Sequence, residues 1–100
     1  MPRVNPETKF KMRVLQDLNS LRNSLDEKPY VLKTQEVAKR GVPDILMCWK
    51  GNFIAIELKV DSPLSMLQKY NLDLIDKNSG VAFVATPDNW KKIFQEIKEM

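Results

Sequence analysis

Two apolar segments of strand length, residues 44–50 and 53–59, constrain the fold of this chain most strongly. A glycine and an asparagine lie between them, and these residue types are typical of the tight turn of a β-hairpin. Both segments carry charged groups near their outer ends, namely Asp44 on the first and Glu57 and Lys59 on the second. Removing a charge from water costs on the order of several kcal/mol, so a chain built for stability alone would place Val or Ile there. We therefore expect a functional site at the open end of this hairpin.

These charged groups fall on one face of the hairpin whichever two residues form its turn. With Gly51-Asn52 as the turn, Asp44 pairs with Lys59. With Lys50-Gly51 as the turn, it pairs with Glu57 instead. Side chains alternate along a strand, so both registers keep the three charges together and predict an apolar core face on the other side. That core face consists of Ile45, Met47, Trp49, Ile54, Ile56 and Leu58. A three-residue turn would separate the charges and remove the site.

Apolar periodicity predicts three helices around the hairpin. The first runs from residue 6 to residue 25, with Asn5 as N-cap and a proline in its first turn. The second begins after Ser65, which forms a capping-box pattern with Gln68, and ends near residue 78 before a glycine. The third follows residues 86–88. Three aromatic residues of the last two helices are expected in the core: Tyr70, Trp90 and Phe94.

Short apolar runs predict two further strands, at residues 30–34 and 81–85. The polar and basic residues 35–42 are expected to form a loop that could contain one helical turn. The predicted order is therefore α-β-β-β-α-β-α, an α/β fold. A chain of 100 residues suits one domain, here residues 1–100.

The composition excludes several classes of site. Histidine is absent, which removes Ser-His triads, Cys-His pairs and imidazole zinc sites. Cys48 is the single cysteine, so an intrachain disulfide cannot form, and we expect a buried thiol in a reducing, cytoplasmic setting. The sequence contains no secretory signal and no apolar run of membrane-spanning length. Carboxylate oxygens then favour Mg²⁺, Mn²⁺ or Ca²⁺ as the metal.

The positive charge is concentrated in the first part of the chain. The net charge is +3, and residues 1–60 carry 11 Lys and Arg against 7 Asp and Glu, whereas residues 61–100 carry 5 against 6. Two of the acids in the first part are the candidate metal ligands, and a bound dication would offset them. This distribution suits a polyanionic partner such as nucleic acid.

These residues resemble the PD-(D/E)XK nuclease superfamily. Pro43-Asp44, a hairpin and then Glu57-Leu58-Lys59 form its motif. Residues 41–45 and the Ser-x-x-Gln start of the second helix are more similar to the VRR-NUC (virus-type replication-repair nuclease) domains, with Holliday junction resolvases as related proteins. The resemblance covers about residues 7–84. It implies a restriction-endonuclease-like α-β-β-β-α-β core with a mixed central sheet flanked by helices, to which this chain adds a C-terminal helix.

The resemblance also implies roles for individual residues. Asp44 and Glu57 match the metal-binding carboxylates, usually joined by the backbone carbonyl of Leu58. Lys59 matches the lysine near the attacking water. Two further positions match a glutamine at the start of the second helix and an acid on the first helix, which could be another metal ligand: Gln68 and Glu7. The expected cofactor is Mg²⁺ or Mn²⁺.

DNA is the expected substrate, and basic residues would contact its phosphates. These residues are Lys9, Lys11, Arg13, Lys33, Lys39 and Arg40. The sequence contains no base-reading motif, so recognition of backbone shape is favoured. We expect a Mg²⁺-dependent, structure-selective endonuclease acting on branched or flapped DNA, such as a Holliday junction. Size and resemblance favour a homodimer.

Simpler interpretations of the same residues remain open. Asp44 could be a turn residue after proline, and Glu57 and Lys59 a surface pair. Glu7 could favour the N-terminal end of the first helix dipole, and Gln68 could serve the capping box alone. Lys39 and Arg40 could be a solvated loop. At the level of function, the alternatives are a non-catalytic DNA-binding module on a nuclease fold and a protein-interaction domain.

Overall fold

The computed structural model describes residues 5–35 and 39–100 of the chain. It contains seven elements in the predicted order. The helices are α1 (Pro6–Asn19), α2 (Met66–Lys77) and α3 (Trp90–Lys98), and the strands are β1 (Tyr30–Lys33), β2 (Ile45–Trp49), β3 (Asn52–Leu58) and β4 (Val81–Ala85). No helix in the described residues is both long and apolar enough to cross a membrane.

The four strands form one mixed sheet in the order β1-β2-β3-β4. The pairs β1–β2 and β2–β3 are antiparallel, and β3–β4 is parallel, with α2 as the crossover. Helices α1 and α3 cover one face of the sheet, where their apolar residues join the core. Helix α2 lies against β3 and β4 on the other face. This arrangement confirms the predicted α/β class and the mixed central sheet.

The hairpin closes in the second of the two predicted registers, because Trp49 pairs with Asn52. The turn residues Lys50 and Gly51 both have positive φ, at 50° and 82°. A turn with two positive φ values matches the right-handed twist of the flanking strands. The last pair of the ladder is Ile45 with Ile56, and the same register places Asp44 opposite Glu57.

The predicted core face of the hairpin is buried. Its first five residues are 0–2% exposed, and Leu58 is half-buried. Three residues of α1, spaced one helical turn apart, pack against them: Phe10, Val14 and Leu18. Burying each such side chain stabilises the fold by roughly 1.5–3 kcal/mol.

Of the residues outside the hairpin core face that were predicted to be buried, some are buried and two are exposed, namely Tyr70 and Cys48. Trp90 is fully buried as predicted, and Phe94 is half-buried and stacked on it. Tyr70 is 61% exposed, because the face of α2 that packs on the sheet carries Leu72 instead. Cys48 is exposed, since α2 leaves the β1–β2 half of its sheet face open.

Helix α1 ends at Asn19, not near residue 25 as its apolar spacing predicted. Polar side chains after it satisfy backbone groups outside a helix. Ser20 Oγ donates to the Asp17 carbonyl, and Asn23 Oδ1 accepts from the N–H groups of Leu25 and Glu27. Such side-chain bonds compete with the helical ladder and end it.

Helix α2 begins with the predicted capping box. Ser65 Oγ accepts from Gln68 N, and Gln68 Oε1 accepts from Ser65 N. At its other end, Ser79 rather than Gly80 takes the positive φ, 68°. Gly80 is required for space, because a Cβ there would lie 2.7 Å from Ile75 Cγ2.

The segment before the hairpin differs slightly from its prediction. Strand β1 ends at Lys33, one residue earlier than expected, although Thr34 N still donates to the Asp44 carbonyl at 3.0 Å. The loop or helical turn predicted for residues 35–42 includes residues 36–38, which lie outside the described residues. Gln35 and residues 39–41 are in turns and bends.

Candidate active site

An open pocket of about 420 Å³ lies at the open end of the hairpin. It is lined mainly by charged and polar residues from α1, the end of β1, the hairpin, the segment after it and α2: Glu7, Thr8, Lys11, Gln35, Asp44, Glu57, Leu58, Lys59, Val60, Ser62 and Gln68. They include every residue that was predicted from the sequence to have a catalytic or metal-binding role. The pocket therefore joins groups that are up to 61 positions apart in the chain, Glu7 and Gln68.

Glu57 is the most unusual group in this pocket, because its charged side chain is only 2% exposed. Its Oε1 accepts a hydrogen bond from Gln68 Nε2 at 3.2 Å. Its Oε2 is buried and receives no hydrogen bond from any donor in residues 5–35 and 39–100. An ionised carboxylate in this state is costly unless a proton or a cation accompanies it.

Asp44 lies beside Glu57 and is held in place by backbone groups. Its carbonyl accepts from Thr34 N, which extends the β1–β2 pairing to the pocket. Its Oδ2 accepts from Leu58 N at 2.8 Å. Thr34 Oγ1 donates to the carbonyl of Pro43, so the residue before Asp44 is also fixed. These bonds orient one carboxylate oxygen and leave the other for a further partner.

Burial raises the pKa of Glu57 from 4.5 to about 8. Asp44 adds to this rise, because it accepts a hydrogen bond from the protonated form of Glu57 and its charge repels the ionised form. The positive charge of Lys59 lowers the pKa of Glu57 and so opposes this rise. Near neutral pH and without a cation, Glu57 therefore keeps its proton, and a divalent cation in the pocket would displace it.

Lys59 follows Leu58 at the end of β3, and its backbone N–H donates to the Ala85 carbonyl at 2.9 Å. The β3–β4 pairing thus continues one residue past the strand. Because Lys59 is two residues from Glu57, both side chains leave the same face of the sheet. Lys59 is half-buried and lines the pocket, and its positive charge lowers the pKa of Glu57, so the two groups interact electrostatically.

Gln68 makes two kinds of contact in the structure, which were considered compatible on sequence grounds. Its backbone N–H and Oε1 complete the capping box with Ser65. Its Nε2 donates to Glu57. One side chain therefore both begins α2 and fixes the rotamer of the buried carboxylate.

Glu7 lies in the first turn of α1, is exposed and lines the rim of the pocket. Within the described residues 5–35 and 39–100, no group of three His, Cys, Asp or Glu side chains is close enough to hold a metal ion. The donor set is thus the pair Asp44 and Glu57, with Leu58 adjoining. Such a sparse set of hard oxygen donors suits Mg²⁺, which retains several water ligands. The unpartnered Oε2 of Glu57 fits this use.

The six basic residues predicted to contact DNA are all in the described part of the chain, and they differ in position. Lys9 and Arg13 are exposed on α1, and Lys33, Lys39 and Arg40 are exposed before the hairpin. Of the six, Lys11 alone lines the pocket. Gln35, Thr8 and Ser62 also line it, although nothing in the sequence pattern had singled them out. Gln35 could have been found only from the register of β1 on β2, which periodicity does not give.

The chain was compared with known proteins. It matches no protein-family model and no curated protein. A solved structure described as a VRR_NUC domain protein has the same fold, with a TM-score of 0.75 over 98% of this chain and 92% of that chain, at 19% sequence identity. VRR-NUC is a PD-(D/E)XK nuclease domain. The predicted resemblance is therefore confirmed for the fold, including the C-terminal helix.

Proposed function

We propose that this chain is a metal-dependent deoxyribonuclease that hydrolyses phosphodiester bonds. The supporting observation is the buried, unpartnered Oε2 of Glu57 beside Asp44. Lys59 lines the same pocket. A fold retained for stability alone gains nothing from such a group, whereas a cation site requires it. The shared fold with a VRR_NUC domain protein supports the same conclusion.

In this proposal Asp44, Glu57 and the backbone carbonyl of Leu58 hold Mg²⁺ or Mn²⁺, with Glu7 at the rim as a further ligand through a water molecule. A bound divalent ion supplies a more acidic water and neutralises charge on the phosphate. The residues of the chain prepare the site for it. Glu57 gives up the proton that burial otherwise retains, and Gln68 and the N–H of Leu58 keep the two carboxylates oriented.

Lys59 is the proposed cationic helper. Its ammonium group orients the attacking water and stabilises the charge that develops on the phosphate oxygens. Because it shares a strand face with Glu57, both groups act on one phosphodiester. Positively charged residues outside the pocket then hold the DNA backbone through phosphate contacts. We propose branched or flapped DNA, such as a Holliday junction, as the preferred substrate. A cytoplasmic setting suits the exposed Cys48 thiol.

We propose further that the chain acts as a homodimer, and a group of exposed large apolar side chains supports this. The surface lies between α2 and the open half of the sheet and consists of Tyr30, Leu32, Phe53, Leu67, Tyr70 and Leu74, which are 44–71% exposed. Phe53 and Leu74 line one pocket of about 430 Å³ there. Its exposed area is on the order of several hundred Å², approaching the roughly 800 Å² that each partner contributes to a standard interface.

We propose that a second copy of the chain covers this apolar surface, because the net charge of the chain favours an apolar contact. Each copy carries +3, so two copies approach best through apolar side chains, which add no like charge to the contact. A phosphate backbone would gain no electrostatic attraction there.

Cleavage assays with paired variants test the nuclease proposal. Purified protein should cut branched or flapped DNA with Mg²⁺ or Mn²⁺. Asp44→Ala and Lys59→Ala should abolish cutting while the far-UV circular dichroism and melting temperature remain those of a folded protein. The matched controls Asp73→Ala and Lys92→Ala remove the same charges from exposed positions and should cut normally.

Two results would contradict the proposal. Equal cutting by Asp44→Ala and Asp73→Ala would exclude the assigned site. Tight DNA binding in both EDTA and Mg²⁺ without any product would favour the non-catalytic DNA-binding module instead, and weak, salt-insensitive binding would favour a protein-interaction domain.

A further inference from the structure

Lys11 differs from the other basic residues of α1. It is half-buried and lines the candidate active-site pocket, whereas Lys9 and Arg13 are exposed and face away from it. Helical geometry explains the difference, because Glu7 and Lys11 are four residues apart and share one side of the helix, while Lys9 is two residues from each. The pocket thus receives one cation from α1 in addition to Lys59 from the hairpin.

Lys11 is also held in place by a specific partner. Its Nζ donates to Gln35 Oε1, which lines the same pocket. Gln35 directly follows Thr34, whose backbone N–H pairs with the Asp44 carbonyl. The strand pairing that positions the Asp44 carboxylate therefore also positions the side chain that holds Lys11. An exposed lysine normally keeps its rotamer freedom, so a fixed lysine beside a cavity indicates a ligand-binding role.

We propose that Lys11 and Gln35 form a second phosphate-binding position in this pocket, which holds the DNA backbone at the scissile phosphodiester. This inference rests on the proposed nuclease function. A lysine ammonium has three donors, and Gln35 accepts one, which leaves two for the non-bridging oxygens of a phosphate. The amide NH₂ of Gln35 provides two further donors to the same group. Lys11 is thus a positioning residue, and Lys59 is the group at the attacking water.

The charge balance of the pocket requires such a second cation. Three carboxylates line it, from Glu7, Asp44 and Glu57, against the two ammonium groups of Lys11 and Lys59. A phosphodiester adds one negative charge and a divalent ion adds two positive charges. The net charge of the loaded pocket is then zero with Lys11 present and −1 without it. In a half-buried pocket an uncompensated charge weakens binding of the anionic substrate.

The test compares Lys11→Ala with Lys92→Ala, which removes the same charge from an exposed position on α3 that has no proposed role in DNA binding. Single-turnover cleavage is measured with the protein in excess and at saturation, and DNA affinity is measured separately in EDTA. We expect Lys92→Ala to leave the saturated rate unchanged. Lys11→Ala should lower the saturated rate by about 10- to 100-fold, the loss expected for one charged hydrogen-bonding contact, and should lower affinity more than Lys92→Ala does.

Gln35→Ala and the double variant Lys11→Ala/Gln35→Ala test whether Lys11 acts through its hydrogen bond to Gln35. Gln35→Ala should reduce the saturated rate in the same direction by a smaller factor, and the double variant should lose little beyond Lys11→Ala alone. Melting temperatures near that of the wild type confirm that the variants are folded.

Equal saturated rates and equal affinities for Lys11→Ala and Lys92→Ala would overturn the inference. If the wild type binds DNA without cutting it, the nuclease proposal fails instead. The affinity comparison in EDTA then decides the position of Lys11, since a larger loss for Lys11→Ala supports it and equal losses reject it.

Discussion

Replacing Glu57 with glutamine should stabilise the cation-free protein at alkaline pH. Glutamine has the shape of the protonated glutamate and cannot ionise. Its carbonyl oxygen can accept from Gln68 as Glu57 Oε1 does, and its NH₂ group can donate to Asp44 in place of the acid proton. The variant therefore keeps the uncharged form of the buried pair at every pH.

The size of this effect follows from the raised pKa of Glu57. In the unfolded chain the group ionises near 4.5, whereas in the folded protein it keeps its proton up to about 8. Its contribution to stability is fully present below the lower value and is lost as the pH rises through the higher one. At 1.36 kcal/mol for each pH unit, the folded wild type loses about 3 to 5 kcal/mol from this group across the interval. Glu57→Gln loses none of it.

Urea denaturation followed by circular dichroism in EDTA, from pH 4.5 to pH 9, measures this difference. The free energy of unfolding of Glu57→Gln minus that of the wild type should increase from pH 4.5 to about pH 8 and then level off. The control Glu96→Gln changes an exposed glutamate on α3 and should follow the wild-type curve. Added Mg²⁺ should narrow the difference at pH 8, because the ion binds the ionised wild-type site and not the amide. Parallel curves for the wild type and Glu57→Gln would refute the reasoning.

Four further substitutions test separate parts of the structure. Gln68→Ala should destabilise the protein by about 1–2 kcal/mol and slow cleavage, whereas Ser65→Ala should destabilise it by about 1 kcal/mol and leave the cleavage rate nearly unchanged. Urea denaturation and single-turnover kinetics measure the two effects, and equal cleavage rates for the two variants would show that the contact of Gln68 with Glu57 is not needed. Gly51→Ala should destabilise the protein by about 1 kcal/mol because alanine disfavours a φ of 82°. Space is not the cause, since in the described residues, apart from the two chain neighbours, no heavy atom lies within 4 Å of the added Cβ. An unchanged urea midpoint would contradict the turn geometry. Tyr70→Glu should convert a dimer to a monomer in sedimentation equilibrium, and an unchanged mass would exclude this surface as the interface.

The sequence was sufficient to predict the hairpin and the residues that share its polar face. The reason is parity, since any two-residue turn leaves Asp44 and Glu57 on the same side. The capping box at Ser65 was equally clear, because it depends on two residues three positions apart. Local rules of this kind operate within one element or between adjacent elements.

Features that depend on distant parts of the chain were not predictable in this way. The spacing of Leu21 and Leu25 continued the helical pattern, but polar side chains ended α1 at Asn19. Tyr70 has the spacing of a core residue yet faces solvent, because the crossover geometry of α2 decides which side meets the sheet. The contact between Lys11 and Gln35 joins α1 to the end of β1 across 24 positions, and no periodic signal records such a pairing.

We expect Asp44 and Glu57 to share one divalent cation. A crystal soaked in Mn²⁺ can show this, because the anomalous signal of the ion locates it independently of the protein atoms. A single strong peak is expected at about 2 Å from Glu57 Oε2 and from an Asp44 carboxylate oxygen. A peak elsewhere, or none beside these two carboxylates at a pH above 8, would contradict it.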